Sequence, residues 1–278
     1  MILNRSQLRE LLEVNGINPS KALGQNFLTD SNILHKIVRL AEISPGDHVV
    51  EIGPGVGSLT MALKEAGANI TAIEMDKRLV YLLKQQLNGL NITIVEADAM
   101  KLDWKSFLPK DKEWILVANL PYNVATPLVL EILENAPYIS KLMVMVQKEA
   151  AERFVAQPST PAYGAVTVKI SYWASASIQA KVPPQVFFPR PKVESSVVLI
   201  KRNPLEDIDN DKDLLFKLIN AGFSTRRKML RRSLEGIIGK NVLEQSGISP
   251  ESRAEELTIL EWKKLAKCQQ KFNEQMLN

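Results

Sequence analysis

A chain of 278 residues with 45% apolar side chains can bury a full core, which excludes a disordered chain and fits one large domain or a domain with an appendage. The formal charge of +4 permits a nucleic-acid partner without demanding one, and one cysteine, Cys268, excludes a disulfide framework or a cysteine-only metal cluster. With His35 and His48 the only imidazoles, no zinc site is expected. No apolar run has the length of a membrane span and no signal-peptide pattern surrounds Arg5, Arg9 and Glu10, so a cytoplasmic protein without a membrane partner is expected.

In chain order, the segment up to Asp30 reads as a polar, mobile stretch. From His48 to Lys201 short β-branched runs alternate with amphipathic helical stretches, the pattern of an α/β doubly wound sheet. The predicted strands are 48–53, 69–75, 92–98, 114–121, 141–147, 177–182 and 195–202, with helices between the first five and an antiparallel hairpin of the last two at the sheet edge. Pro183, Pro184, Pro189 and Pro191 stiffen the loop joining that pair. An acidic link, EDIDNDKD at 206–213, then leads into helical periodicity, so the domains read as 1–202 and a small helical domain over 203–278.

Val49-Val50-Glu51-Ile52-Gly53-Pro54-Gly55-Val56-Gly57 reads as a buried strand entering a glycine turn, with Ser58 placed to cap the next helix. Glycines such as Gly53 and Gly55 let the backbone approach a ligand. The G-x-G-x-G spacing differs from the G-x-G-x-x-G of a dinucleotide site, which argues against NAD. Glu74 ends the second strand, where a carboxylate can accept from two ribose hydroxyls, and Asp98 ends the third, where it can accept from an adenine amino group.

Strand four ends in Asn119-Leu120-Pro121-Tyr122. An aromatic amine is a poor nucleophile because its lone pair is conjugated with the ring. Two acceptors on its hydrogens, the Asn119 side-chain oxygen and the Leu120 carbonyl, weaken that conjugation and aim the nitrogen at a sulfonium methyl. Pro121 fixes the turn and the Tyr122 ring stacks on the base.

Together with Gly24-Gln25-Asn26-Phe27-Leu28 and Phe187-x-Pro189-x-Pro191-x-Val193-x-Ser195, that tetrad carries a resemblance. Nearly end to end, the chain resembles the small-subunit ribosomal RNA adenine N6,N6-dimethyltransferases of the KsgA/RsmA type. The resemblance implies a Rossmann-like, seven-stranded S-adenosylmethionine-dependent sheet with S-adenosylmethionine as cofactor. Gln25, Asn26 and Leu28 close over that cofactor, Gly53 backs its methionine part, and Glu74 and Asp98 hold ribose and adenine. Asn119 serves both ligands, and Phe187 is the second aromatic wall opposite Tyr122, with Phe188 assigned to the core. The implied substrate is a pair of adjacent adenines in the 3′-terminal hairpin loop of 16S rRNA in the assembling 30S subunit, each receiving two methyls.

Between Phe223 and Leu234 lie Arg226, Arg227, Lys228, Arg231 and Arg232 with no acid, and the four-residue spacings predict a helix with one basic stripe for RNA phosphates over inward-facing Phe223, Met229 or Leu230, and Leu234. Arg190 and Lys192 in the proline loop are placed to grip flanking phosphates. The rivals are a 23S rRNA adenine methyltransferase of the antibiotic-resistance type, a non-catalytic nucleic-acid-binding relative, and a DNA adenine methyltransferase. The last would need a larger recognition domain than the residues after Asn203 provide. No self-association surface stands out, so a monomer is expected.

Overall fold

The computed structural model describes residues 2–204 and 212–277, so the acidic link at 206–213 lies largely outside the described residues. The chain forms two compact units. One comprises Met1–Ala151 with Ala176–Arg202, the other Glu152–Ser175 with Asn203–Asn278. The sequence pattern puts the boundary at 202/203 alone. The apolar run of residues 165–173 reads equally well as part of either unit, and the structure packs it among the C-terminal helices.

The first unit runs α1 (Arg5–Val14), β1 (Phe27–Leu28), α2 (Ser31–Leu40), β2 (His48–Ile52), α3 (Ser58–Glu65), β3 (Asn69–Glu74), α4 (Lys77–Gln86), β4 (Thr93–Glu96), β5 (Trp114–Asn119), α5 (Ala125–Asn135) and β6 (Ile139–Gln147). Helices α6 (Lys148–Val155) and α7 (Ala165–Trp173) follow, then β7 (Ala174–Val182), β8 (Phe187–Phe188) and β9 (Ser195–Arg202). Seven strands form one sheet in the order β4-β3-β2-β5-β6-β9-β7. β2 through β6 pair in parallel, while β9 runs antiparallel to β6. Helices cover both faces of such a sheet, which is why Val49, Val50, Leu116 and Val117 can be consecutive and all buried. After β2 the chain moves outward to β3 and β4, then returns to place β5 on the other side of β2. That reversal opens a crevice beyond the strand ends.

Three local expectations change. The link between β4 and β5 holds a single 3₁₀ turn, Ala99–Lys101, and no α-helix among the described residues. Buried Trp104 and Leu108 fold it back, and the Trp104 indole donates to the Ala99 carbonyl at 2.9 Å. Ser58 does not cap α3, because Gly57 occupies the N-cap with φ 84° and Ser58 is already helical and buried. The N-terminal segment, expected to be polar throughout, carries a docked helix ahead of residues 24–28. Asn4 caps α1, and Leu8, Leu12 and Ile17 bury into a cluster with Phe27, Val56 and Leu79. Its apolar residues recur at helical spacing among polar ones, which makes the segment look polar on average.

Arg202 closes the end of α5. Its guanidinium donates to the carbonyls of Leu133 at 2.7 Å, Ala136 at 3.1 Å and Ile132 at 3.3 Å, satisfying groups the helix end leaves bare. Burial lowers its pKa to about 10, so it remains charged at neutral pH.

The second unit adds α8 (Lys212–Ser224), α9 (Leu230–Ser233), α10 (Lys240–Gln245) and α11 (Ile259–Leu277) to α7. Trp262, Leu265, Leu218 and Leu230 fill its core. No helix of the described residues is long and apolar enough to cross a membrane.

Candidate active site

A cavity of about 310 Å³ opens at the ends of β2, β3 and β5. Of the residues expected from sequence, Gln25, Asn26, Leu28, Gly53, Gly55, Glu74, Asp98, Asn119, Leu120, Pro121 and Tyr122 all line it. The glycine turn makes it possible. Gly55 has φ +60°, and a Cβ there would sit 2.8 Å from the Phe27 ring, so only a residue without a side chain lets the 24–28 segment close over the turn.

Two buried carboxylates face this space. Glu74 Oε2 accepts from the Gly55 N–H at 3.2 Å and Oε1 from the Asp76 N–H at 2.9 Å, and burial raises its pKa. Glu51 was not singled out from sequence, although an acid within Val-Val-Glu-Ile is a visible signal. It is 1% exposed, burial pushes its pKa up to about 8, and the nearby Glu74 charge adds to the rise. Its Oε2 and the Ser58 hydroxyl are buried without a hydrogen-bond partner among the described residues, and both residues line the cavity. Buried acceptors of this kind are costly unless a ligand completes them. A cationic amine suits Glu51, ribose hydroxyls suit Glu74, and S-adenosylmethionine carries both groups.

Asp76, at the N-cap of α4, accepts from Gln25 Nε2 at 2.9 Å and from the Arg78 guanidinium at 2.6 and 3.0 Å. The Arg78 hydrogen bonds hold its carboxyl down at about 2. Gln25 is thus a brace for the closing segment, since its Oε1 also accepts from the Ser20 N–H at 2.7 Å. Asp98 accepts from the Met100 N–H at 3.0 Å and keeps an edge on the cavity.

The tetrad leaves β5 with its amide oriented. Asn119 Nδ2 donates to the Asn26 carbonyl at 3.0 Å, which fixes the amide and leaves Oδ1 as the acceptor toward a ligand. Leu120 is buried, its N–H spent on the Met145 carbonyl at 3.1 Å. The Tyr122 hydroxyl and the Ser195 hydroxyl share a 2.7 Å hydrogen bond, and Ser195 is fully buried. Burial raises the Tyr122 pKa, so the residue presents a neutral ring. Ser195, the last residue of the proline-loop motif, is therefore the anchor of the aromatic wall, a role the sequence reading missed.

Phe187 is not the second wall. It is fully buried in the sheet core and does not line the cavity, whereas Phe188 is the half-buried ring. Strand alternation sends the two neighbours to opposite faces: Phe187 pairs with Leu28 and Phe188 with Phe27. Phe188 does not line the cavity either and packs against the cluster of Leu8, Leu12 and Phe27, in keeping with its assignment to the core.

The basic run is also rearranged. Helix α8 ends at Ser224, a turn spans 225–228, and Arg231 and Arg232 sit on the four-residue α9, so no continuous helix carries one stripe. Leu230 and Leu234 are buried as expected, while Phe223 is half-buried. Acids distant in sequence meet the arginines. Arg226 binds Glu255 at 2.5 Å and the Pro161 and Thr160 carbonyls at 2.9 and 3.2 Å, and Arg231 lies 3.9 Å from Glu251. Arg232 pairs with Glu235 at 3.5 Å, whereas no ion pair involves Arg227 or Lys228 among the described residues. Arg190 and Lys192 are exposed.

A doubly wound sheet, a glycine turn at its switch point, acids on successive strand ends and an Asn-Leu-Pro-Tyr corner define an S-adenosylmethionine-dependent methyltransferase. The family described as Ribosomal RNA adenine dimethylase matches residues 16–271, and the chain belongs to it. Relatives named Ribosomal RNA small subunit methyltransferase A, from Streptococcus pneumoniae and Lactiplantibacillus plantarum, are each 39% identical. They align over 95% and 94% of this chain and 97% and 93% of their own lengths. A dimethyladenosine transferase from Plasmodium falciparum superposes with TM-score 0.77 at 26% identity, covering 89% of this chain and 98% of its own. The 23S rRNA methyltransferase ErmE superposes with TM-score 0.68 at 25% identity, over 88% of this chain and 99% of its own. The large-subunit reading is the less favoured of the two.

Proposed function

We propose that this enzyme transfers methyl groups to N6 of two adjacent adenines in the 3′-terminal hairpin loop of 16S rRNA, two to each base, acting as a cytoplasmic monomer on the assembling 30S subunit. The observation that carries the reading is the Asn119 amide, pinned through Nδ2 so that Oδ1 is the free acceptor at the cavity, beside a Tyr122 ring braced by Ser195. S-adenosylmethionine supplies an electrophilic methyl on a sulfonium. Glu51 would hold its amine, Glu74 its ribose and Asp98 its adenine, with Gln25, Asn26 and Leu28 closing over them and Gly53 and Gly55 clearing the space.

Asn119 Oδ1 and the Leu120 carbonyl accept the two N6 hydrogens of the target base, drawing the nitrogen lone pair out of conjugation. Tyr122 stacks on the flipped base, and Pro121 holds the corner. No general base is required, because the methylated nitrogen is acidic and loses its proton to water. Arg227, Lys228, Arg190 and Lys192, with weaker contributions from Arg226, Arg231 and Arg232, bind phosphates.

Labelled methyl should enter small subunits lacking this modification and map to the adjacent loop adenines as dimethyladenosine. Label in naked large-subunit RNA and none in small subunits would overturn the reading.

A further inference from the structure

The half-buried Phe188 ring, packed against the cluster of Leu8 and Leu12, also carries two arginines. Arg5 and Arg9 of α1 place their guanidinium carbons 5.8 and 5.4 Å from the Phe188 ring centroid. Both are exposed, and among the described residues no ion pair involves either, the neighbouring Glu10 and Glu13 included. An exposed cation over a ring gains about 0.5–1 kcal/mol, which offsets little of the repulsion between two cations brought to one ring. An anion between them would satisfy both.

The surroundings make a row. Phe188 pairs with Phe27, which lines the cavity. From Phe188 the chain runs through exposed Arg190 and Lys192 to Ser195, whose hydroxyl holds Tyr122. The only acid in that stretch, Glu194, is taken by Lys148 at 3.2 Å. The helix beneath is firmly set, with Asn4 Oδ1 accepting from the Ser6 and Gln7 N–H groups at 3.0 Å and Leu8 and Leu12 buried.

Resting on the RNA substrate proposed above, we propose that α1 and the proline loop form a phosphate track for the single-stranded RNA entering the base pocket, with Arg5 and Arg9 as its outer grip and Phe188 as the platform that positions them. Arg5 and Arg9 are one helical turn apart, about 6 Å along the axis, a separation comparable to that of neighbouring phosphates on an extended strand. A single strand is the occupant because a base stacked on Tyr122 must have left its pairing, and the strand on its flank is unpaired with it.

The test is fluorescence anisotropy with a labelled hairpin RNA carrying two adjacent loop adenines, against a blunt RNA duplex of equal length. The variants are Arg5→Gln/Arg9→Gln and Arg5→Lys/Arg9→Lys. Both should keep the wild-type melting temperature and S-adenosylmethionine affinity. The Gln pair should bind the hairpin about tenfold more weakly, with the slope of log K against log salt shallower by about 1.4, and bind the duplex as wild type does. The Lys pair should keep the salt slope. Wild-type hairpin affinity and slope in the Gln pair, or equal loss on the duplex, would overturn the track. Because the assay reads binding, a wild type that binds the hairpin but transfers no methyl breaks the methylation reading and leaves the track standing.

Discussion

The two units treat charge in opposite ways. At the cavity of the first, Glu51 and Glu74 are buried carboxylates with no cation beside them, and one Glu51 oxygen has no partner among the described residues. In the second, Arg226, Arg231 and Arg232 lie at the surface and meet Glu255, Glu251 and Glu235. The binding site is marked by groups left incomplete. The arginine cluster is largely satisfied by its own unit, so a run of like charge in sequence overstates the charge on offer to a partner.

The sharpest way to break this comparison is through Glu51. The folded protein holds its proton up to about 8, whereas the unfolded chain releases it near 4.5. Between those values the folded state binds the extra proton, so stability is greatest below about 4.5 and falls as pH rises toward 8. Glu51→Gln should remove most of that slope and raise ligand-free stability at pH 8 by on the order of 3 kcal/mol, read by denaturant melts at pH 5 and 8. A wild-type curve flat over that window would show that Glu51 is already ionised and compensated.

A smaller effect is expected at the glycine turn. Gly55→Ala introduces a Cβ 2.8 Å from Phe27 at a φ of +60°. It should lower stability by about 2 kcal/mol and abolish most S-adenosylmethionine binding, seen by calorimetry. Unchanged affinity would mean the 24–28 segment does not need to close over the turn.

The smallest effects separate neighbouring arginines. Arg226→Ala should cost up to about 1 kcal/mol of stability, because its partners are within its own unit. Arg227→Ala should leave the melting temperature alone and reduce the salt slope of RNA binding by about 1. The reverse pattern would restore the single basic stripe.

These contrasts also show what the sequence could and could not tell. Gly53, Gly55, Glu74, Asp98 and Asn119-Leu120-Pro121-Tyr122 were legible because each answers a local demand, a tight turn or a strand end at the switch point. The burial of Phe187 was not, since a strand's alternation gives two faces and no label for which meets the core. Glu255 and Glu251 lie 29 and 20 residues beyond Arg226 and Arg231, too far for local charge patterning to reveal the pairs. Ser195 was quoted within its motif, but its contact with Tyr122 spans 73 residues and only the fold brings it about.

The central claim is that Asn119 acts on the target amine and not merely on the cofactor. Single-turnover methyl transfer by Asn119→Ala at saturating S-adenosylmethionine, beside calorimetric titration of the same variant, tests it most directly. The account predicts cofactor affinity within about tenfold of wild type and transfer slowed by about 10²- to 10³-fold. Transfer at the wild-type rate once the cofactor site is filled would contradict it.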